Sequence, residues 1–166
     1  MTTVFVHSFE TSLGTFHAAA TERGLALLML PGATKEEFET SLKRMYPKSE
    51  VRTSGPIIDQ AEQEIKAYLA GKLTRFTVKV DMTCTPFSQK VLDEVARIPY
   101  GETRTYGQVA TRIGNPKAFR AVGTANAHNA VPIIIPCHRV VATSGLGGYG
   151  GGLSMKEKLL KLEGAL

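Results

Sequence analysis

The chain has 166 residues, of which 43% are hydrophobic and 21% charged, with two cysteines and a formal net charge of +5. This length allows one domain or two small ones with a buried core. No apolar run approaches the ~20 residues of a membrane span, the N-terminus lacks a signal-peptide pattern, and two cysteines are too few for a disulfide framework. These exclusions predict a cytoplasmic protein with reduced thiols.

The first half of the chain, residues 1–80, is expected to fold as an antiparallel sheet with helices. Three short apolar runs separated by turn residues are typical of a meander, at residues 4–9, 15–19 and 25–30. Thr34 is the predicted N-cap of a first helix, which has carboxylates early and cations late. Apolar residues at helical spacing after Ile57 predict a second helix that ends at Gly71. With ten cations and nine anions, this half is electrostatically bland, and we expect a structural support domain.

The second half, residues 86–166, is expected to be mostly helical, which makes the chain an α+β protein of two small subdomains. Thr85 followed by a proline is typical of a helix start. Thr105 is the predicted cap of the next helix, and Gln108 three residues later completes a capping box. Cys84 is expected to act as a small structural hydrophobe near the domain junction.

A third helix is expected to begin at Asn115-Pro116, directly after Gly114, and to run to about Ala127. Two short helices joined by a glycine turn are a helix-turn-helix candidate. One face of the second helix of this pair holds Phe119, Val122, Ala125 and Asn126, and the opposite stripe holds Lys117, Arg120 and Thr124. Most of its other residues are small, so its backbone can approach a grooved partner closely.

Positive charge is concentrated between residues 95 and 140. This segment has one anion, Glu102, and six cations: Arg97, Arg104, Arg112, Lys117, Arg120 and Arg139. The excess equals the net charge of the whole chain. A concentrated basic surface favours a polyanionic partner such as nucleic acid.

Cys137 stands directly before His138 and after a strand-like apolar run, residues 131–135. A thiol near its ordinary pKa of ~8.5 is only a few per cent thiolate at neutral pH, and the thiolate is the reactive form. A neighbouring histidine can take the proton. The pair therefore predicts a cysteine nucleophile, with Asn129 eight residues before it as a turn former.

Metal and cofactor sites are not expected. The chain has no Cys-x-x-Cys and no His-x-x-x-His pair, so a zinc site would have to assemble from distant segments. It also lacks the glycine-rich loop with lysine that binds nucleotide triphosphates.

The second half carries a dense set of short motifs. They are Ile-Pro-Tyr-Gly-Glu-Thr at 98–103, Thr-Tyr-Gly-Gln-Val-Ala at 105–110, Gly-Asn-Pro-Lys-Ala at 114–118, Arg-Ala-Val-Gly at 120–123, Ile-Pro-Cys-His-Arg-Val at 135–140, and the segment from 144 to 163. Together with Asn129 they resemble the O6-alkylguanine-DNA alkyltransferases. The resemblance is dense over residues 86–164, whereas the first half resembles the family only in outline.

The resemblance implies direct-reversal DNA repair by a stand-alone monomer. Its partner would be double-stranded DNA carrying O6-alkylguanine or O4-alkylthymine, and the alkyl group would move to Cys137 in a single-turnover reaction. The target oxygen lies inside the duplex, so the nucleotide must be flipped out. In this family the helix-turn-helix approaches the minor groove, where wedge side chains unstack bases.

The resemblance also implies roles for individual residues. For the chemistry, Cys137 would accept the alkyl group, His138 would take its proton through a water, Glu163 would orient the histidine, and Asn129 would brace the turn. The base would meet Tyr106, Val140, Tyr149 and Gly150. DNA would meet Arg120, which enters the base stack, and Lys117, Thr124 and Thr105. Several members have serine where this chain has Gly150, which leaves any side-chain contact there in doubt.

Two other functions are compatible with the same residues. A Cys-His-Glu relay also serves cysteine hydrolases, which turn over and need an oxyanion hole. A non-catalytic DNA-binding protein would use the helix-turn-helix but would not need Cys137 beside His138. The mass of the protein before and after incubation with methylated DNA distinguishes the three.

Overall fold

A four-stranded sheet is the frame of the first half of the chain in the computed structural model, which describes residues 1–166. Strands β1 (Thr2–Thr11), β2 (Gly14–Ala20) and β3 (Leu25–Met29) are antiparallel neighbours. They form the predicted meander, and β2 is its most buried member. The α+β class is confirmed.

The fourth strand makes the sheet mixed rather than antiparallel. Strand β4 (Ser49–Thr53) pairs in parallel with β1, so the strand order is β3-β2-β1-β4. Helix α1 (Lys35–Met45) stands between β3 and β4 in the chain, and a crossover of this kind brings a strand back parallel to its neighbour. The sequence analysis missed β4 because it is a polar, largely exposed edge strand with no apolar alternation.

The two helices predicted for this half are confirmed. Thr34 caps α1, and its side-chain oxygen accepts a hydrogen bond from the Glu37 amide. Helix α2 (Pro56–Leu69) buries its apolar stripe, which consists of Ile58, Ala61, Ile65 and Tyr68. Gly71 follows it with φ of +74°, a backbone conformation that glycine adopts without strain. This is the longest helix at 14 residues, and no helix of the protein is long and apolar enough to cross a membrane.

The second half is mostly helical. It contains α3 (Pro86–Ala96), α4 (Tyr106–Arg112), α5 (Phe119–Ala127) and α6 (Leu153–Leu162), with a 3₁₀ turn over Cys137–Arg139. Two short strands, β5 (Arg104–Thr105) and β6 (Val140–Val141), pair in parallel. The predicted caps are present: Thr85 caps α3, and Thr105 with Gln108 forms the capping box of α4. The chain thus divides into two compact units, Met1–Thr83 and Cys84–Leu166.

Helix α5 begins four residues later than the Asn115-Pro116 dipeptide suggested. Residues 115–118 form a turn closed by a hydrogen bond from the Ala118 amide to the Asn115 carbonyl. Pro116 therefore lies in this turn, and the N-cap of α5 is Ala118 instead of Asn115. The helix face that holds Phe119, Val122, Ala125 and Asn126 is only partly buried, since 48% of Phe119 is exposed whereas the other three residues are buried.

The apolar run before Cys137 is a buried turn and not a strand. Pro132 and Ile135 form an isolated bridge, and the Ile135 amide donates back to the Val131 carbonyl. Ile133 between them has φ of +73°, in the left-handed region. Pro132 has no N–H to give to a sheet, and the run is apolar because the turn is buried.

Candidate active site

Cys137 is the first residue of the 3₁₀ turn that follows the apolar residues 131–135. Only 5% of Cys137 is exposed. Asn129 holds the segment in shape from both sides. Its Nδ2 donates to the Ile135 carbonyl at 2.8 Å, and its Oδ1 accepts from the Val131 amide at 3.1 Å. Asn129 also hydrogen-bonds the cysteine side chain. The predicted turn former is therefore in direct contact with the predicted nucleophile.

His138 and Glu163 form a fully buried pair. The ring nitrogen Nε2 donates to Glu163 Oε2 at 2.8 Å, and both side chains are 0% exposed. Because Nε2 carries the proton in this bond, Nδ1 keeps its lone pair, and no protein group hydrogen-bonds it. Burial lowers the pKa of His138 although Glu163 acts to raise it, so the ring is neutral at pH 7 and able to accept a proton.

Arg139 neutralises the same carboxylate. Its Nε and Nη2 donate to the two Glu163 oxygens at 2.8 and 2.9 Å, and its Nη1 donates to the Ile98 carbonyl. The sequence analysis counted Arg139 in the basic surface, but only 5% of it is exposed and its charge is paired. With Arg139 compensating Glu163, the histidine can stay neutral beside a carboxylate.

Lys156 is a buried cation that the sequence analysis did not single out. Its Nζ donates to the Val140 carbonyl at 2.7 Å and to the Gly148 carbonyl at 2.9 Å. Burial lowers its pKa to about 8, while a Cys137 thiolate acts to raise it. The spacing of Lys156, Leu159 and Glu163 places them on one face of α6, so the sequence could have predicted that Lys156 is buried with Leu159. All three are buried in the structure.

The state of the thiol follows from these neighbours. Burial raises the pKa of Cys137, and this effect outweighs the Asn129 hydrogen bond and the positive charge of Lys156, which lower it. The side chain therefore rests as a thiol, and the proton acceptor that it needs is a neutral imidazole. The other cysteine, Cys84, is exposed rather than a structural hydrophobe, so it has no comparable surroundings.

Helix α5 is tied to the nucleophile by a second residue that the sequence analysis did not assign. The Nδ2 of Asn126 donates to the Cys137 carbonyl at 3.2 Å in a buried contact. The sequence pattern placed Asn126 on one face of the helix with Val122 and Ala125 and gave it no role in the site. Through this bond the same helix that carries Arg120 holds the backbone of the nucleophile.

The residues predicted to contact a base lie on both sides of a glycine-rich loop. The Tyr106 hydroxyl accepts from the Gly148 amide at 3.3 Å, and its ring packs on Gly123 of α5. A Cβ on Gly147 would come within 2.6 Å of that hydroxyl, so only glycine fits there. The Tyr149 ring stands edge-on to His138 with 6.5 Å between centroids.

Val140 and Gly150 complete the predicted base contacts. Val140 is buried, and its carbonyl accepts the Lys156 hydrogen bond. Gly150 is exposed, and a Cβ there would meet nothing within 4 Å. A serine at this position, as the resemblance suggested for other members, would fit without displacing its surroundings.

Ion pairs involve three of the five cations between residues 95 and 120. Arg97 and Arg112 pair with Glu94, and Arg104 pairs with Glu102. Lys117 and Arg120 are exposed, and neither has an ion-pair partner. The predicted basic surface is therefore concentrated at the start of α5.

The two predicted threonines differ. Thr124 is exposed, one turn after Arg120, and its hydroxyl donates to the Arg120 carbonyl. Thr105 is half-buried, and its side-chain oxygen accepts the Gln108 amide as the cap of α4. No cluster of three or more His, Cys, Asp or Glu side chains is arranged to hold a metal ion.

The site combines a buried thiol with a neighbouring imidazole and carboxylate, and exposed cations lie at the start of the helix that holds it. These features define a class of protein with a cysteine nucleophile and a surface suited to a polyanion. Comparison with known families agrees with this class. The DNA-binding domain of 6-O-methylguanine DNA methyltransferase matches residues 86–165, and the ribonuclease-like domain of the same family matches residues 4–82. The chain belongs to the methylated-DNA–protein-cysteine methyltransferase family.

Individual relatives support the assignment. A methylated-DNA–protein-cysteine methyltransferase of Methanosarcina acetivorans is 44% identical over 159 residues, which is 95% of this chain and 96% of that one. One from Mycobacterium tuberculosis is 54% identical over 104 residues, 62% of this chain and 63% of that one.

Solved structures agree. The O6-methylguanine methyltransferase of M. tuberculosis has a TM-score of 0.83 at 39% identity, covering 98% of this chain and 93% of that one. The M. tuberculosis OGT structure in complex with DNA has a TM-score of 0.81 at 37% identity, covering 97% and 93%.

Proposed function

We propose that this protein repairs DNA by direct reversal. It moves a methyl or other alkyl group from O6 of guanine, and from O4 of thymine, to its own Cys137. The observation that carries the proposal is the buried Cys137, next to a neutral His138, on a turn held by α5, where the exposed Arg120 and the preceding Lys117 have no ion-pair partner. The M. tuberculosis relative that was solved in complex with DNA has the same fold and supports a DNA partner.

The reaction is a displacement at the alkyl carbon. The Cys137 proton passes to Nδ1 of His138, directly or through a water, and a sulfur–carbon bond forms as the carbon–oxygen bond to guanine breaks. Glu163 and Arg139 fix the imidazole in the tautomer that accepts at Nδ1. This is the logic of a catalytic triad, with the carboxylate orienting the base. Thiolate displacement needs no cofactor.

The leaving guanine carries negative charge that must be stabilised. The Tyr106 hydroxyl accepts a hydrogen bond from Gly148, so its own proton is available to donate to the guanine ring. Val140, Tyr149 and Gly150 line the base pocket in this proposal. Lys156 stabilises the transient thiolate, because it holds a positive charge that favours ionised Cys137.

Access to the target oxygen requires that the nucleotide leave the stack, at a cost of a few kcal/mol. Arg120 enters the gap, while Lys117, Thr124 and Thr105 contact the DNA backbone. Small side chains on the exposed face of α5 let the helix lie in the minor groove. The protein acts as a cytoplasmic monomer, with residues 1–80 as support and residues 86–166 as the DNA-binding and alkyl-acceptor domain.

Intact mass measurement tests the proposal. After incubation with a duplex that contains one O6-methylguanine, the protein should gain the mass of one methyl group, located on Cys137 by peptide mapping. Cys137→Ala should gain nothing yet bind the duplex, whereas Cys84→Ala should react like the parent. Restored guanine with an unmodified protein would indicate a hydrolase, and binding without any transfer would indicate a non-catalytic DNA-binding protein.

A further inference from the structure

Phe119 is the one aromatic among the large hydrophobic side chains that the protein leaves exposed. It is the first residue of α5, and 48% of it is exposed. The chemistry proposed above does not use it. The exposed ring is therefore free to contact a partner.

The surroundings of Phe119 identify the kind of partner. Lys117 precedes it by two residues and Arg120 follows it directly, and both are exposed and without an ion-pair partner. Gly123 lies one turn further along the same side of the helix, where the Tyr106 ring packs on it. Phe119 thus lies between the unpaired cations and the side of the helix that faces Tyr106.

The shape of α5 makes this side chain the main protrusion of its exposed surface besides Arg120. The other exposed positions of the helix carry Ala121, Thr124 and Ala127, which are small. Side chains at a helix start point back toward the N-terminus, so no later turn of α5 covers Phe119. A flat apolar ring can contact stacked bases, and the cations beside it can contact the phosphates of the same duplex.

We propose that Phe119 is a second wedge, which inserts from the minor groove against the base step beside the flipped nucleotide while Arg120 fills the gap. The inference rests on the proposed function and deepens it. Apolar side chains inserted in this way unstack a base step and kink the duplex. A wedge of this kind offsets part of the few kcal/mol that unstacking a base step costs, and each ~1.4 kcal/mol is tenfold in affinity.

The test compares Phe119→Ala and Phe119→Leu with the parent protein, and Val51→Ala serves as a control for loss of an exposed apolar side chain. Alkyl transfer is measured in single turnover on one methylated oligonucleotide, single-stranded and as a duplex. Affinity for the duplex is measured at several salt concentrations in the Cys137→Ala background. Thermal unfolding checks each variant.

Phe119→Ala should lose about tenfold in duplex affinity or transfer rate and stay within about twofold on the single strand, where no base step has to be opened. Its log affinity should fall with log salt at the parent slope, because the ring neutralises no phosphate, whereas Lys117→Ala should flatten the slope. Phe119→Leu should lie between Ala and the parent, and Val51→Ala should match the parent.

An unchanged duplex activity in Phe119→Ala, or an equal loss on both substrates, overturns the inference. A parent protein that transfers no alkyl group from either substrate overturns the proposed function instead. The two failures are therefore distinguishable.

Discussion

Glu163 is the most connected single residue of the candidate site, because it binds His138 and Arg139 with both oxygens. An intact buried ion pair of this kind adds little to the free energy of unfolding. Removal of one partner is costly, because the other charge is left buried without a counter-charge. Its role is to hold the neighbouring groups in one protonation state and one orientation.

Replacement of Glu163 by Gln should therefore damage both stability and chemistry. The change leaves the buried Arg139 guanidinium without its counter-charge, for which we expect a loss of ~3–5 kcal/mol in the free energy of unfolding. Urea denaturation measures this loss, and the transfer rate should fall as well. Glu157→Gln on the same helix removes an exposed carboxylate paired with Lys161 and should cost less than ~1 kcal/mol. Equal effects of the two substitutions would contradict the buried network.

The pH dependence of alkyl transfer tests the state of His138. Burial lowers its pKa, so the neutral ring that accepts the thiol proton persists to a pH below the ordinary value of ~6.5. The single-turnover rate at saturating duplex should stay level on acidification through this value and fall only at lower pH, as the ring takes up a proton. A midpoint at or above the ordinary value would show that another group limits the reaction.

The sequence revealed the residues that touch the reacting atoms more readily than those that support them. Cys137 and His138 are adjacent, and the motif around them is specific. Arg139 could be read only as a surface cation, because its burial depends on the Ile98 carbonyl and on Glu163, which are distant in the chain. Lys156 could have been found from its place on the apolar stripe of α6.

At the scale of elements, α5 joins the proposed DNA contact to the nucleophile. It presents Arg120 outward and holds the Cys137 carbonyl through Asn126. In the proposed function, this helix sets the distance between the nucleophile and the point where the DNA is opened. The capping box of α4 and the turn at residues 115–118 fix where this helix begins.

Replacement of Arg120 by Ala should slow repair of duplex DNA more than repair of a single strand. The arginine fills a gap that exists only where pairing and stacking have been broken, at a cost of a few kcal/mol. Single-turnover rates on the two substrates measure the difference. An equal loss on both would indicate a phosphate contact and no insertion into the stack.

Periodicity predicted the elements whose apolar face is buried, which include the meander, α2 and α3. Periodicity gave no prediction, or a wrong one, where burial of an apolar face does not determine the structure. Strand β4 is a polar edge strand, so burial leaves no trace in its sequence. Residues 131–135 are apolar enough for a strand, but Pro132 and the left-handed Ile133 make them a turn.

At the scale of the whole molecule, the two units divide their tasks. Met1–Thr83 has nearly balanced charge, while Cys84–Leu166 holds the candidate nucleophile, its supporting network and the exposed cations of α5. The proposed reaction also limits what one molecule can do. An alkyl thioether has no acyl carbon for water to attack, so a water activated by His138 does not release the group.

The central claim is therefore one of stoichiometry, and titration tests it most directly. Increasing amounts of duplex containing O6-methylguanine are added to a known amount of protein, and the restored guanine is counted at long times. We expect a plateau at one guanine per protein molecule, with Cys137 alkylated in the spent protein. A yield that rises well beyond one per protein with time would contradict direct reversal and would favour a hydrolase that turns over.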